Sequence, residues 1–232
     1  MKNIKNLCGL TIATALLVGL PAMAAEPAYE WITDPAELAA RGFDADAPPI
    51  KRLIPAEDNR SFEERLAERQ AMEDAIKSSS EVGGRAVRWA AVQGNDFKFL
   101  NEGALYNVSN FWLHGLAGTP NRFADAPITL RDDKRISFLD VWTNDTSAAQ
   151  GVDVALYRTC HPAFTAGTPD VTELAVVEAG AFSGGTRFQF VSVPGMVYVD
   201  NPLCTYFVRA RFSDFDAGSS VQLQKVRVVW AG

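Results

Sequence analysis

Few side chains in this sequence are suited to chemistry. Cys160 stands directly beside His161 in VALYRTCHPAF; the only other cysteines are Cys8 and Cys204, and the only other histidine is His114. Such a pair could be a thiol activated by an imidazole, part of a metal site, or the end of a disulfide. A thiol nucleophile needs its base beside it in space. Successive residues of a strand point to opposite faces, so sequence adjacency argues against that arrangement. A zinc site needs about four nitrogen or sulfur ligands. Past the leader the chain offers only Cys160, Cys204, His114 and His161, with no C-x-x-C or H-x-x-x-H spacing.

Other catalytic signatures are sparse. The sequence has no G-x-x-x-x-G-K-[ST], no G-x-G-x-x-G after a strand pattern and no H-E-x-x-H. AFSGG places Ser183 almost as in a nucleophile elbow. A strand pattern follows it instead of a helix, and both histidines precede it. Asp132, Asp133, Asp140, Asp145, Asp214 and Asp216 could supply the two carboxylates of a polysaccharide hydrolase, yet most lie in turns, where aspartate bonds its own backbone. Asp140 is the exception: in ISFLDVW it is in phase with Ile136, Phe138 and Trp142, so on a buried face it needs a partner such as Arg158 or Arg209. No cofactor is expected. Calcium is the one ion that the oxygen-rich SDFDAGS or NDTS could hold, although neither has the spacing of a known loop. FVRARF aligns Phe207, Arg209 and Arg211 on one strand face, where an aromatic ring and two guanidinium groups could grip an acidic or planar ligand. The competing reading has an acidic N-terminal helix covering that face, with Glu63, Glu64, Glu68 and Glu73 against the arginines.

The compartment decides the cysteine question. Lys2 and Lys5 precede an apolar run of 14 residues from Leu7 to Leu20, followed by Pro21 and the small-residue stretch Ala22-Met23-Ala24-Ala25. That order predicts a secretory signal peptide, residues 1–24, on a run shorter than the roughly 20 residues a membrane-spanning helix needs. Its removal leaves 20 basic and 28 acidic residues, a formal charge of −8. Such a chain has no electrostatic drive toward nucleic acid, and no second long apolar stretch predicts membrane insertion. A periplasmic or extracellular location makes a Cys160–Cys204 disulfide the expected pairing. GVDVALYRTC ends on one cysteine and CTYFVRARF begins on the other, each on the mostly apolar side of its strand.

The elements that must position these residues fall into two sections. Residues 25–84 are acidic and read as short helices and loops, ending in the linker KSSSEVGGR. Asp34, Pro35 and Gly42 mark one helix as N-cap, first position and stop. SFEE starts another at Ser61 that runs to about Lys77, with Arg65, Arg69 and Glu73 sharing its apolar face. This helix either packs on the following domain or mediates assembly. Residues 85–232 alternate apolar and polar positions in nine short runs separated by turn-rich pieces, which predicts an antiparallel β-sandwich of jelly-roll type. In the last run the phase slips near Gln224 and Lys225, as a β-bulge would cause.

PITLRDDKRISFLDVWTNDTSAAQGVDVALYR and the terminal YFVRARFSDFDAGSSVQLQKVRVVW together resemble a pattern in uncharacterised secreted bacterial β-sandwich proteins, over about residues 95–232. The resemblance implies the fold and no active site. The expected function is recognition of a glycan or protein partner, or assembly at a surface, without catalysis; the alternative is a carboxylate-dependent polysaccharide hydrolase.

Overall fold

The computed structural model describes residues 27–54, 60–79, 88–100, 106–109, 112–115, 123–146, 151–161, 167–178, 184–212 and 221–231. The expected signal peptide, Ser183 and the SDFDAGS turn lie outside them. Alternating patterns become strands, as expected: β3 (Arg88–Gln93), β4 (Lys98–Phe99), β5 (Tyr106–Ser109), β6 (Trp112–Gly115), β8 (Arg135–Asp145), β9 (Val152–Cys160), β10 (Asp170–Val177), β11 (Gly185–Ser192), β12 (Cys204–Phe212) and β13 (Val221–Ala231). The run read as one strand over 105–115 is a hairpin of β5 and β6.

Three further strands carry no readable alternation. They are β1 (Tyr29–Ile32), β2 (Ile50–Leu53) and β7 (Phe123–Pro127). Segments of four or five residues give too little periodicity to stand out, and β2 is bracketed by Pro49 and Pro55, which favour extended backbone without a pattern. The first section is therefore not only helix and loop. β1 pairs with β2, and β2 runs parallel to β10, so residues 29–53 extend a sheet of the sandwich.

The first sheet has the order β1-β2-β10-β9-β12-β7-β4, and the second β11-β8-β13-β6-β5, with β3 also paired to β13. Their inner faces close one core from Val154, Leu156, Val208 and Ala210 on one side and Leu139, Val141, Val226 and Val228 on the other. This is a mostly antiparallel β-sandwich. Cys160 and Cys204 are register partners on β9 and β12, their Cα atoms 4.0 Å apart, and their sulfurs are bonded. The expected bulge lies at Gln224, between Leu223 and Lys225. A second bulge, at Ser137 of β8, turns Ile136 inward while Phe138, Asp140 and Trp142 face out, so Ile136 does not share their face.

Each sheet carries a covering on its outer side. Helix α1 (Pro35–Ala40), capped by Asp34 Oδ1 accepting from Ala36 N at 2.9 Å, lays Leu38 with Ile32, Ile50 and Phe43 over Ala155 and Tyr157. Gly42, just past its end, has φ +77°, and a Cβ there would stand 2.5 Å from the Phe123 ring, so only glycine fits this exit. Helix α2 (Phe62–Ser79) opens with the expected capping box: Ser61 N donates to Glu64 Oε2 at 2.7 Å, and Glu64 N to Ser61 Oγ at 3.1 Å. It seats on the second sheet.

Candidate functional site

The outer face of the second sheet is a lattice of side chains in register. Because the bulges at Ser137 and Gln224 reset the phase on β8 and β13, outward residues align across three adjacent strands in successive rows. One row is Thr186, Asn144 and Gln222; the next is Phe188, Trp142 and Lys225; the third is Phe190, Asp140 and Arg227; the fourth begins Ser192, Phe138 and Val229.

Helix α2 occupies the third and fourth rows through its charged face. Asp140 is fully buried and shared by two guanidinium groups: Arg69 donates from Nε to Oδ1 at 3.0 Å and from Nη2 to Oδ2 at 2.6 Å, and Arg227 Nε donates to Oδ2 at 2.9 Å. Glu73 closes the cluster, accepting from Arg69 and Arg227 at 2.9 Å each. Burial opposes ionisation of Glu73, but hydrogen bonds and charges of Arg227 and Arg69 outweigh it and hold its carboxyl below the ordinary value. Burial likewise opposes the charge on Arg69, and Asp140 and Glu73 overcome it, keeping that guanidinium above its ordinary value. The expected partners Arg158 and Arg209 are not those found, because Asp140 faces outward on the second sheet while both belong to strands of the first.

In the first and second rows Thr186 and Phe188 are exposed, and Asn144, Trp142, Gln222 and Lys225 are half-buried. Phe188 is 40% exposed and lies 4.8 Å from Trp142, ring centre to ring centre. Lys225 Nζ sits 5.2 Å from the ring centres of both Trp142 and Trp89, and Trp89 is 46% exposed. Phe190 continues the aromatic surface, stacked 5.8 Å from Phe188 and meeting Phe62 of α2 at 6.1 Å. Beside the rings, Asn144 Nδ2 donates to Gln222 Oε1 at 3.2 Å, and Thr186 is exposed. Strands about 4.8 Å apart make the Phe188–Trp142–Lys225 row roughly 10 Å long. Flat rings flanked by amide, hydroxyl and ammonium groups can stack on an apolar ring face while bonding polar groups at its edge.

The residues that sequence singled out occupy the other sheet. Phe207 stacks on Tyr157 at 5.1 Å and 13° under the α1 layer. Arg209 is 7% exposed and grips Asp125 with two bonds of 2.7 Å, while its Nη1 donates to the carbonyls of Arg41 and Gly42. Arg211 bonds Asp153 and the Ala40 carbonyl. These arginines therefore hold the end of α1 against the sheet, and their acids are Asp125 and Asp153 rather than the glutamates of α2. Of those, Glu68 pairs with Arg60 and Glu73 with Arg227. Among the hydrolase candidates, Asp132 accepts from Asn201 N at 2.8 Å and Asp133 occupies a turn with φ 59°; Asp214 and Asp216 lie outside the described residues. In NDTS, Asn144 is committed to Gln222. No group of three or more His, Cys, Asp or Glu residues able to hold a metal occurs among the described residues, and no helix there is long and apolar enough to cross a membrane.

Sequence had passed over Trp142, Phe188, Trp89 and Lys225. Trp142 and Phe188 alternate correctly for a strand face, but nothing local says which face a covering helix leaves free.

No protein-family model and no curated protein matches the chain in sequence. Among solved structures it is similar to a carbohydrate binding module of lichenase 5A from Cellvibrio mixtus in complex with cellotriose, at 10% identity and a TM-score of 0.34, covering 60% of this chain and 95% of that one. A family 35 carbohydrate binding module from Clostridium thermocellum gives 8% identity and a TM-score of 0.36 over 61% and 98%. A low affinity xylan binding module from Roseburia intestinalis gives 11% and 0.31 over 62% and 96%.

Proposed function

We propose that this protein is an exported recognition module that binds a glycan chain on the uncovered outer face of its second sheet. The observation that carries this reading is the register of Phe188, Trp142 and Lys225 across three strands, with Phe188 exposed, Trp142 and Lys225 half-buried, and the Asn144–Gln222 amide pair at its border. The row is roughly 10 Å long, about the length of two pyranose rings. Its rings stack on the C–H faces of a sugar, and its amides and Thr186 bond hydroxyls at the rim. A surface built from exposed aromatic rings on a rigid sheet is costly in solution and marks a binding face. The leader pattern of residues 1–24 and the Cys160–Cys204 bond support the export part of this reading.

Retention of residues 25–232 on gels or insoluble fractions of cellulose, xylan, β-glucan, mannan and peptidoglycan tests it. Trp142→Ala and Phe188→Ala are each expected to weaken the retained glycan at least tenfold, about 1.4 kcal/mol. Phe188→Ala removes an exposed ring and is expected to leave the melting temperature within a few degrees. Failure to bind any of the five polymers, or equal binding by both variants, would sink the proposal. Release of reducing ends during the same incubations would instead favour the hydrolase reading.

A further inference from the structure

Helix α2 covers the second sheet while burying almost nothing apolar of its own. Over residues 62–74, the part of the helix whose side chains are described, only Arg69 is buried; Leu66 and Met72 are half-buried and Phe62 is 56% exposed. A helix that packs for stability turns an apolar stripe to the core. Here the seat is the cluster of Arg69, Glu73, Asp140 and Arg227. The fit is imperfect, since Arg69 Nη1 and Arg65 Nε are buried with no hydrogen-bond partner among the described residues. Desolvation of such charges offsets much of the attraction between them, and each unmade bond weakens the seat further.

Beneath α2 the aromatic surface continues. Phe190 follows Phe188 on the outer face of β11, and Phe138 follows Trp142 and Asp140 on that of β8. Phe190 meets Phe138 edge-on at 6.1 Å. Phe138 is 2% exposed although it lies outside the core between the sheets; Arg69 hides it, its guanidinium carbon 5.8 Å over the ring. Between these rings stand one carboxylate and one guanidinium that satisfy each other within the sheet: Arg227 approaches Asp140 Oδ2 with Nε at 2.9 Å and Nη2 at 2.8 Å. The positions that Arg69 and Glu73 take on this pair, an acceptor on Asp140 Oδ1 and donors on Arg227, suit sugar hydroxyls, which donate and accept.

We infer that the glycan face extends under α2 and that the helix is a displaceable strap over this second half. It holds the third and fourth rows in the free protein and yields them to a ligand chain long enough to run along the strands from the second row. Each row is two residues further along a strand, so the covered rows lengthen the face by about 14 Å, room for roughly three more pyranose rings. A short ligand sits on the first two rows with α2 in place. A long one gains Phe190, Phe138 and the Asp140–Arg227 pair but must first release the helix, which lowers its apparent affinity by the fraction of molecules in which α2 is released. The inference rests on the reading of the Phe188–Trp142–Lys225 row as the glycan site.

Arg69→Gln tests it, because the change removes the anchor of the helix and leaves the Asp140–Arg227 pair in the sheet. Calorimetric titration compares parent and variant, both as residues 25–232, with cellobiose, xylobiose and mannobiose and with the hexasaccharides of the same three sugars. The variant is expected to bind a hexasaccharide about tenfold or more tighter than the parent does, and the matching disaccharide nearly as the parent does. Adding Phe190→Ala is expected to abolish the gain. Hydrogen exchange reads the parent by itself: a saturating hexasaccharide is expected to speed exchange of the α2 amides, and a saturating disaccharide is not. The strap is overturned, with the aromatic row still standing, if the parent binds sugar but Arg69→Gln gains nothing for the hexasaccharide. It is overturned equally if the α2 amides of the variant stay as protected as in the parent, or if bound hexasaccharide leaves them protected in the parent. Binding of none of the six sugars by either chain would overturn the strap and count against the row itself.

Discussion

A carboxylate buried as fully as that of Asp140 is stable only while both of its guanidinium partners are present. Removing the charge leaves Arg69 and Arg227 facing each other with Glu73 alone between them. Asp140→Asn should therefore lower stability by about 3 kcal/mol, the lower end of what breaking a buried pair costs. Chemical denaturation against the parent measures it, and a loss below about 1 kcal/mol would contradict the assignment. Gly42 is a second sensitive position for a different reason. Its φ of +77° and the 2.5 Å approach to Phe123 make Gly42→Ala both strained and clashing. We expect a loss of about 1–3 kcal/mol there, with Phe123 displaced, read from the melting temperature of the variant. Of these residue-level features, the need of Asp140 for a partner was legible in its placement on an apolar strand face. The partner's identity was not, because one bulge at Ser137 decides which side Asp140 faces and Arg69 arrives from a helix 71 residues away.

At the scale of elements, α2 is held by a charged face, which makes its seating sensitive to acid. Glu73 titrates below its ordinary 4.5 in the folded protein, so as pH falls the unfolded chain takes up this proton first. Its contribution is complete above the ordinary value and is lost as pH drops through the lowered one. Fluorescence of Trp142, which stacks 5.0 Å from Arg227, should report loosening of α2 only below about pH 4.5. Glu73→Gln should flatten that acid transition and be less stable than the parent at neutral pH; an acid transition of the same size in the variant would assign it to other groups. The disulfide acts on β9 and β12 in another way, by shortening the unfolded chain's freedom across a 44-residue separation. Cys160→Ser with Cys204→Ser should cost about 4 kcal/mol in the chain-entropy estimate, measured by denaturation of the double variant beside the parent. That pairing was legible because both cysteines fall in phase with the apolar residues of long strands. The strands β1, β2 and β7 were not legible, since four or five residues between prolines and turns give no periodicity to read.

For the whole molecule, the division at residue 84 that composition suggests does not coincide with a division in packing. Leu53 belongs to the main core, and Ile32, Leu38 and Ile50 form the layer over Ala155 and Tyr157, each 2% exposed or less. Burial of four such side chains stabilises by about 6–12 kcal/mol at roughly 1.5–3 kcal/mol each, comparable to the roughly 5–15 kcal/mol that holds a domain together. A chain of residues 85–232 would also lose the carbonyls of Arg41 and Gly42 that Arg209 bonds, strip the partner helix from Asp140, and free the edge of β10 that β2 covers. A long uncovered edge strand beside exposed Tyr157 and Phe207 invites pairing with other chains. We therefore propose that residues 85–232 do not form a stable monomer by themselves, although they hold most of the strands, while residues 25–232 do. Size-exclusion chromatography with light scattering and thermal melting of the two chains decides it. A monodisperse 85–232 fragment melting within a few degrees of the longer chain would mean that the N-terminal section is an accessory.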